Sequence, residues 1–216
     1  MLDITLLPDD CRARERVVAE RRRSLGEDHP ETLSAMLDLA DCLWSQGRLI
    51  AARRIEEQVV EGRRRQLGDQ HADTLKAIGK LAVTLAAQGD LERARALQEE
   101  VVAGRRRLYG ESDLETLRAI NNLAGTIASQ GDLATARELL ESVLAATCRQ
   151  FGEEHADSLT TMANLAAILW QGGERDEAYA LQQQVVELRR RAQGDDDQAT
   201  RTAAAVLRTM EQDPGF

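Results

Sequence analysis

The chain has 216 residues, 43% of them hydrophobic, and 28 basic against 37 acidic side chains give a formal net charge of −9. That balance makes it a poor general binder of nucleic acid or anionic membrane, and no apolar run approaches the roughly 20 residues that a membrane-crossing helix needs. Three cysteines, Cys11, Cys42 and Cys148, are odd in number and scattered over different registers of the chain, which speaks against a disulfide framework and for a reducing compartment.

Met1 to Leu7 carries Asp3 and no basic segment before an apolar run, so it does not read as a secretory signal. A cytoplasmic location is expected. Apart from Lys76 and Lys80 every basic side chain is an arginine, a coding bias that suits a GC-rich bacterial genome and carries no mechanism.

From Asp9 onward the chain repeats itself. Gly26, Gly68, Gly110, Gly152 and Gly194 stand 42 residues apart, and Gly47, Gly89, Gly131 and Gly173 keep the same spacing. So do Ala52, Ala94, Ala136 and Ala178, and the pairs Leu39-Ala40, Leu81-Ala82, Leu123-Ala124 and Leu165-Ala166. A fixed period of this length means a solenoid, in which each unit buries its apolar face only by stacking on its neighbours.

The opening segment, Asp9 to Leu25, aligns with the second helix of the unit, because Val17-Val18 falls one period before Val59-Val60. It reads as a half-repeat cap, and Asp10 stands where later repeats carry the small packing alanine, as a solvent-facing cap allows. First helices are then expected at Pro30–Ser45, Ala72–Ala87, Leu114–Ser129 and Ala156–Gln171, and second helices at Leu49–Leu67, Leu91–Leu108, Leu133–Phe151 and Asp176–Ala192. Pro30 suits a first turn. Gly47, Gly89 and Gly131 suit the left-handed residue that ends a helix, and Asp90 and Asp132 can accept from the free N–H groups of the next one. Gly172-Gly173 suggests a looser fourth hairpin. A last helix, Ala199 to Met210, aligns with a first helix and has Arg208 in place of the small alanine. Glu211 to Phe216 reads as a frayed tail.

The unit resembles the tetratricopeptide repeat (TPR) in its long 42-residue form, the form of kinesin light chains and many bacterial signalling proteins. The best match is Ile120, Leu123, Ala124, Ile127, Gly131, Ala136, Leu140 and Val143, and the connecting text GEDHPETL, GDQHADTL, GESDLETL and GEEHADSL is similar to the kinesin-light-chain type. Leu and Ile stand where the family often has aromatics. The resemblance implies an all-α, right-handed α-solenoid of antiparallel helix pairs with about ten helices. It implies one domain over 1–216: a half-repeat at 9–26, full repeats at 27–68, 69–110, 111–152 and 153–194, and a capping helix with its tail at 195–216. It also implies protein or peptide binding in a concave groove lined by first helices.

Several residue sets invite chemistry. His29, His71 and His155 occupy one register of successive loops, with Asp113 in the third unit. Neighbouring helix pairs stack on the order of 10 Å apart, too far to share a metal at ~2 Å, so a loop or helix-start hydrogen bond is expected and no metal is assigned. The runs Arg21–Arg23, Arg63–Arg65, Arg105–Arg107 and Arg189–Arg191 sit near second-helix C-termini, where cations complement the helix dipole. The stripe breaks at Thr147-Cys148 and lacks interleaved aromatics, so a nucleic-acid reading is disfavoured.

Lys76 and Lys80 lie four apart and share a helix face. By the resemblance that face lines the groove. Asp38, Lys80, Asn122 and Asn164 then occupy one register, and Ser34, Lys76, Arg118 and Thr160 another. Asn122 and Asn164 match the asparagine that co-chaperone TPRs use in a carboxylate clamp, while Lys80 takes its place one unit earlier. Lys76, Lys80 and Arg118 can supply positive charge, and Asn121, Asn122 and Asn164 can bond an extended peptide backbone. Asp38 and Asp41 make the N-terminal end of the groove acidic. Trp44 and Trp170 share a register that suits either a ligand anchor or packing between units.

No Cys, His and acidic residue come together by register, and neither a glycine-rich phosphate loop nor a metal-ligand spacing is present. The expected function is a non-catalytic scaffold, without cofactor, for an acidic or carboxylate-bearing protein segment. The alternatives are a self-associating structural or regulatory module of a larger bacterial signalling system and, more remotely, a small-molecule sensor or an unrecognised enzyme.

Overall fold

A computed structural model describes residues 9–212. Among these the chain forms ten α-helices and no strand: α1 (Asp9–Leu25), α2 (Pro30–Ser45), α3 (Leu49–Leu67), α4 (Ala72–Ala87), α5 (Leu91–Tyr109), α6 (Leu114–Ser129), α7 (Leu133–Phe151), α8 (Ala156–Gly172), α9 (Arg175–Gln193) and α10 (Gln198–Gln212). The chain divides into two compact units, Met1–Leu108 and Tyr109–Phe216. Glu211 and Gln212, expected to fray, belong to α10, where Glu211 accepts a hydrogen bond from the Tyr179 hydroxyl at 2.9 Å. The rest of the expected tail and the segment read as lacking a secretory signal lie outside the described residues.

The first helices of the four full repeats begin on side chains that the repeat supplies. The histidines are N-caps. Nδ1 of His29, His71 and His155 accepts from the backbone N–H of Glu31, Asp73 and Asp157 at 3.3, 3.1 and 3.3 Å, and Asp113 does the same for Glu115 at 2.9 Å. A neutral imidazole nitrogen thus stands in for the carboxylate or hydroxyl usual at this position. Asp132 caps α7 by accepting from Thr135 N–H at 3.1 Å, whereas the Asp90 carboxylate lies 3.4 Å from Arg93.

At the hairpins the chain leaves the first helix through a glycine with positive φ. Gly173 (φ 86°, ψ 3°) donates to the Trp170 carbonyl, and Glu174 N–H reaches back to the Leu169 carbonyl at 2.9 Å. These two bonds close the helix end, and they recur at Gly89 and Gly131. The fourth hairpin is therefore as tight as the others; Gly172 simply extends α8 by one residue. Second helices end differently. Gly152 has φ 91° and ψ 164°, a region essentially open only to glycine. Its carbonyl accepts from Ser158 Oγ at 2.8 Å, as Gly26 accepts from Thr32. A buried hydroxyl at the start of α2 and of α8 thereby ties the incoming turn down, whereas the equivalent Thr74 and Thr116 hydroxyls on α4 and α6 are buried without a partner.

In each unit the core sits between the helices of a pair and the following first helix. Ala40, Ala52, Ala82 and Ala94 in the first unit, and Ala124, Ala136, Ala166 and Ala178 in the second, are wholly buried. Larger side chains such as Leu33, Met36, Leu75, Leu140 and Leu159 fill the remaining space. Asp10 and Arg208, which replace the alanine at the ends, are exposed.

The arginine runs do more than complement helix dipoles. The first member packs inward: Arg63 is buried, and its Nη1 donates to the Asp73 carbonyl at 2.6 Å. Arg189 is buried in the same register and lies 3.5 Å from Thr160 Oγ1. The second member pairs with the acid that follows the turn glycine, as in Arg22–Glu27, Arg64–Asp69 and Arg190–Asp195 at 3.0, 2.9 and 2.5 Å.

The cysteine expectation is corrected. Cys11 on α1 and Cys42 on α2 form a disulfide, with their Cα atoms 5.8 Å apart, inside the bridging range. Different registers of adjacent helices meet face to face, so a difference of register along the sequence did not imply distance. The cysteines therefore no longer argue for a reducing compartment. Cys148 is free and half-buried.

Two outcomes test this account. His71→Ala is expected to destabilise by about 1 kcal/mol, the usual weight of an N-cap, while His71→Asp retains stability because Asp113 already holds that place; a chemical-denaturation series compares the three. If the alanine variant matches the parent, the caps contribute nothing. The second concerns Glu56, which is buried with its Oε2 unpartnered and its Oε1 accepting from Thr84 Oγ1 at 3.0 Å. Burial pushes its carboxyl above the ordinary value, against the Thr84 hydrogen bond that lowers it. The folded state thus holds this proton more tightly than the unfolded state. The stabilising contribution is full below the unfolded value of 4.5 and is lost as pH rises through the raised folded value. Gln98 and Gln182 occupy the same register, buried, so Glu56→Gln fits. It is expected to raise stability by ~1 kcal/mol at neutral pH and by less near the unfolded carboxyl value. Thermal melts at both pH values check this, and an equal gain at the two would contradict the linkage.

Candidate functional site

Solvent reaches one stripe of every first helix. In the first unit Ser34, Asp38 and Asp41 are exposed on α2, and Lys76 is exposed on α4 with Lys80 half-buried beside it. In the second unit Arg118 and Asn122 are exposed on α6, and Thr160 is exposed on α8 with Asn164 half-buried. The spacing i, i+4 keeps each set on one face. The residues that follow Lys80 and Asn164, Leu81 and Leu165, turn into the core.

Charge on the stripe is largely matched. Lys80 Nζ lies 2.5 Å from Asp41 Oδ1, so the acid expected to polarise one end of a groove is neutralised by the lysine expected to bind there. Arg118 is held by Asp157 through Nε and Nη2 at 2.7 and 3.0 Å, and by Glu115 through Nη1 at 2.9 Å. The bond to Asp157 raises the Arg118 pKa most, partial burial opposes it, and Glu115 adds to it. Lys76 makes no ion pair among the described residues and remains the exposed cation of α4.

The remaining expected residues separate. Asn121 does not share the open stripe with Asn122. Its Oδ1 is buried, has no hydrogen-bond partner, and lines a cleft of about 240 Å³ bounded by α6, α7 and α8. Trp44 is 43% exposed on α2. Trp170 is half-buried, with the Arg175 guanidinium stacked 3.9 Å from its ring centre, a cation–π contact that occupies one ring face. Neither tryptophan is a fully buried packing residue. Sequence reading passed over Asp157, Thr147 and Thr161, which also line the 240 Å³ cleft. The signal for Thr147 was the break in the arginine runs.

A larger cleft of about 810 Å³ in the first unit, between α1, α2 and α3, contains none of the expected residues. Asp10, Cys11 and Cys42 lie within ligating distance of one another, but the two sulfurs are joined to each other and neither is the free thiolate that binds a metal. No helix among the described residues is long and apolar enough to cross a membrane.

The tetratricopeptide repeat family model matches residues 11–65, 73–149 and 115–191. Among solved structures, a Podosopora anserina protein of nearly identical kinesin-light-chain TPR-like repeats superimposes with a TM-score of 0.71 at 29% identity, covering 85% of this chain and 86% of its own. BtubC (BKLC) from P. vanneervenii gives 0.69 at 16% identity over 100% of this chain and 94% of its own. The apo form of RapI gives 0.69 at 12% identity over 93% and 77%; these last two likenesses concern the fold. No curated protein matches the sequence. TPR arrays are generally non-catalytic scaffolds that mediate protein–protein interaction. With the family model spanning most of its length, and with ten helices in the 42-residue register, the chain belongs to the tetratricopeptide repeat family.

Proposed function

We propose that this chain is a non-catalytic binding scaffold whose exposed first-helix stripes hold an extended segment of a protein partner carrying carboxylates. One observation carries the reading. Of the eight places in the two registers that the core does not use, five hold cations or amides, Lys76 and Lys80 on α4 and Arg118, Asn122 and Asn164 on α6 and α8, and the other three are Ser34, Asp38 and Thr160. Asn122 and Asn164 both donate and accept, which suits a peptide backbone. Lys76 offers an uncommitted ammonium. Lys80 is committed to a surface pair, and pairs of that kind are worth ~0–1 kcal/mol, so a partner's carboxylate can displace Asp41 at little cost. Arg118, held bidentately by Asp157, exchanges less readily and serves mainly as a fixed polar edge. Trp44, exposed one turn from Asp41, supplies an apolar contact area.

A second reading, end-to-end self-association, is favoured by apolar residues left open on the two terminal helices, Val17 on α1 at 42% and Val206 on α10 at 41%.

Selection of a random peptide-display library on the whole chain is expected to return Asp- and Glu-rich sequences. Their binding should weaken as salt is raised and fall about tenfold in a Lys76→Glu, Asn122→Ala variant, equivalent to ~1.4 kcal/mol. A library that yields no acidic consensus, or a variant that binds as well as the parent, would overturn the acidic-segment reading. For the second reading, sedimentation over a wide concentration range is expected to show a mass that rises with concentration and reverts in Val17→Asp; a constant monomer mass would remove it.

A further inference from the structure

The third repeat and the helix that follows it depart from the period at three positions, two of them buried, and all three meet at one place. Position 147 is threonine where Arg21, Arg63, Arg105 and Arg189 stand in the other copies. Position 161 is threonine where Ala35, Ala77, Ala119 and Ala203 stand. Position 121 is asparagine where Leu37, Gly79 and Ala163 stand. Thr147 comes from α7, Thr161 from α8 and Asn121 from α6, and together they line the cleft of about 240 Å³.

What the cleft lacks can be read from its counterparts. In the first repeat Arg63 fills the equivalent space, its guanidinium donating to the Asp73 carbonyl and lying 3.5 Å from Ser34 Oγ. In the fourth, Arg189 reaches Thr160 Oγ1. Thr147 is as buried as those arginines, but it stops short, and its hydroxyl donates to Leu144 on its own helix at 3.1 Å. Arg118, the nearest arginine, does not fill the gap. Half of its side chain is exposed, and its guanidinium is spent on Asp157 and Glu115 at the rim.

The lining left behind accepts hydrogen bonds. Asn121 Oδ1 is buried without a donor, an arrangement that native interiors seldom leave standing. The Asp157 carbonyl, the counterpart of the Asp73 carbonyl that Arg63 uses, is taken here by Thr161, whose Oγ1 donates to it at 2.9 Å. Thr147 Oγ1 adds lone pairs of its own. Arg118, Asp157 and Glu115 together carry one net negative charge, so a cation is admitted. The volume lies below the ~300–1,000 Å³ of drug-sized pockets and suits a single side-chain head.

We propose that this cleft is a guanidinium socket: it takes, from outside the chain, the head group that the other repeats supply from within. The guanidinium would donate to Asn121 Oδ1 and Thr147 Oγ1, with its stem against Leu117 and Val143. The same chemistry can come from an arginine of a bound protein or from a free guanidino compound. The cleft borders the exposed stripe at Arg118, Asn122 and Thr160, but the inference does not need the acidic-segment reading.

The test uses the full chain and three small probes, N-acetyl-arginine amide, its neutral isostere N-acetyl-citrulline amide, and methylguanidinium, followed by amide NMR shifts. The arginine probe is expected to shift the signals of residues around Asn121, Thr147 and Thr161 saturably in the millimolar range, and the citrulline probe to bind at least tenfold more weakly. Methylguanidinium binding as well as the arginine probe would point to a free guanidino ligand, and weaker binding to a peptide arginine; both support the socket. Thr147→Arg restores the repeat's own residue, so it should melt no lower than the parent and lose at least tenfold in probe affinity. Asn121→Leu, with the residue of the first repeat, should weaken binding without unfolding. Unchanged binding in both variants, equal binding of citrulline, binding of acetate in place of the cation, or a Thr147→Arg variant that melts lower would each overturn the proposal.

Discussion

On both helices of each pair the period places a small residue that is wholly buried: Ala40 and Ala52, Ala82 and Ala94, Ala124 and Ala136, Ala166 and Ala178. A buried methyl group lets paired helices approach closely. A close crossing fixes the helices' separation and leaves the leucines, isoleucines and valines on either side to interdigitate. Because each pair has a fixed geometry, a residue in a given register meets the same surroundings in every copy. The first-helix caps and the turn glycines can therefore recur from copy to copy. On α1 and α10 Asp10 and Arg208 replace the alanine and are exposed.

Between a helix pair and the next first helix lies a space that aliphatic side chains alone do not fill. The repeats close it with long polar residues. Arginine serves because its methylene stem packs like a hydrocarbon while its planar head bonds carbonyls at the next helix start. Glu56, Gln98 and Gln182 do the same in another register, and Leu140 shows that an apolar residue fits there too. These polar struts carry a desolvation cost that their hydrogen bonds only partly offset. Burial lowers the pKa of Arg63 even with Asp73 nearby, and Arg189 Nε and Glu56 Oε2 lack partners.

The fold was legible because its determinants are local and recur. Glycine and alanine spacing placed nine of the ten helices to within one residue at each end, and the His-x-Asp and Asp-x-Glu starts reflect caps made two residues apart. What escaped depended on contacts across helices. Cys11 and Cys42 are 31 residues apart in different registers yet touch, since α1 and α2 lie side by side. Lys80 and Asp41, and Arg118 and Asp157, are each 39 residues apart, about one period less a turn. A count of charges on the stripe saw the cations and missed that the preceding or following helix had already answered two of them. Asn121 looked equivalent to Asn122 by composition, but one residue along a helix is 100° of rotation, enough to carry an amide from water into a buried wall.

A periodic sequence thus holds two kinds of information. Positions that keep the period describe the scaffold, since each copy solves the same packing problem. Positions that break it do so against a background in which the structural optimum is visible in the other copies. At 147 the background is arginine four times over, with two of those side chains buried and bonded in the described structure. Substituting a short residue removes a strut, and introducing amide and hydroxyl groups at 121 and 161 makes the vacated wall more polar instead of closing it with hydrocarbon. Cys148, immediately after, also removes the arginine that elsewhere pairs with the acid five residues on, so Glu153 has no such partner in sequence while Glu27, Asp69 and Asp195 do. The same helix end has lost both its inward strut and its outward ion pair. For packing alone either loss is a defect, and two adjacent losses beside a polar cleft concentrate the departures from the scaffold in a single place.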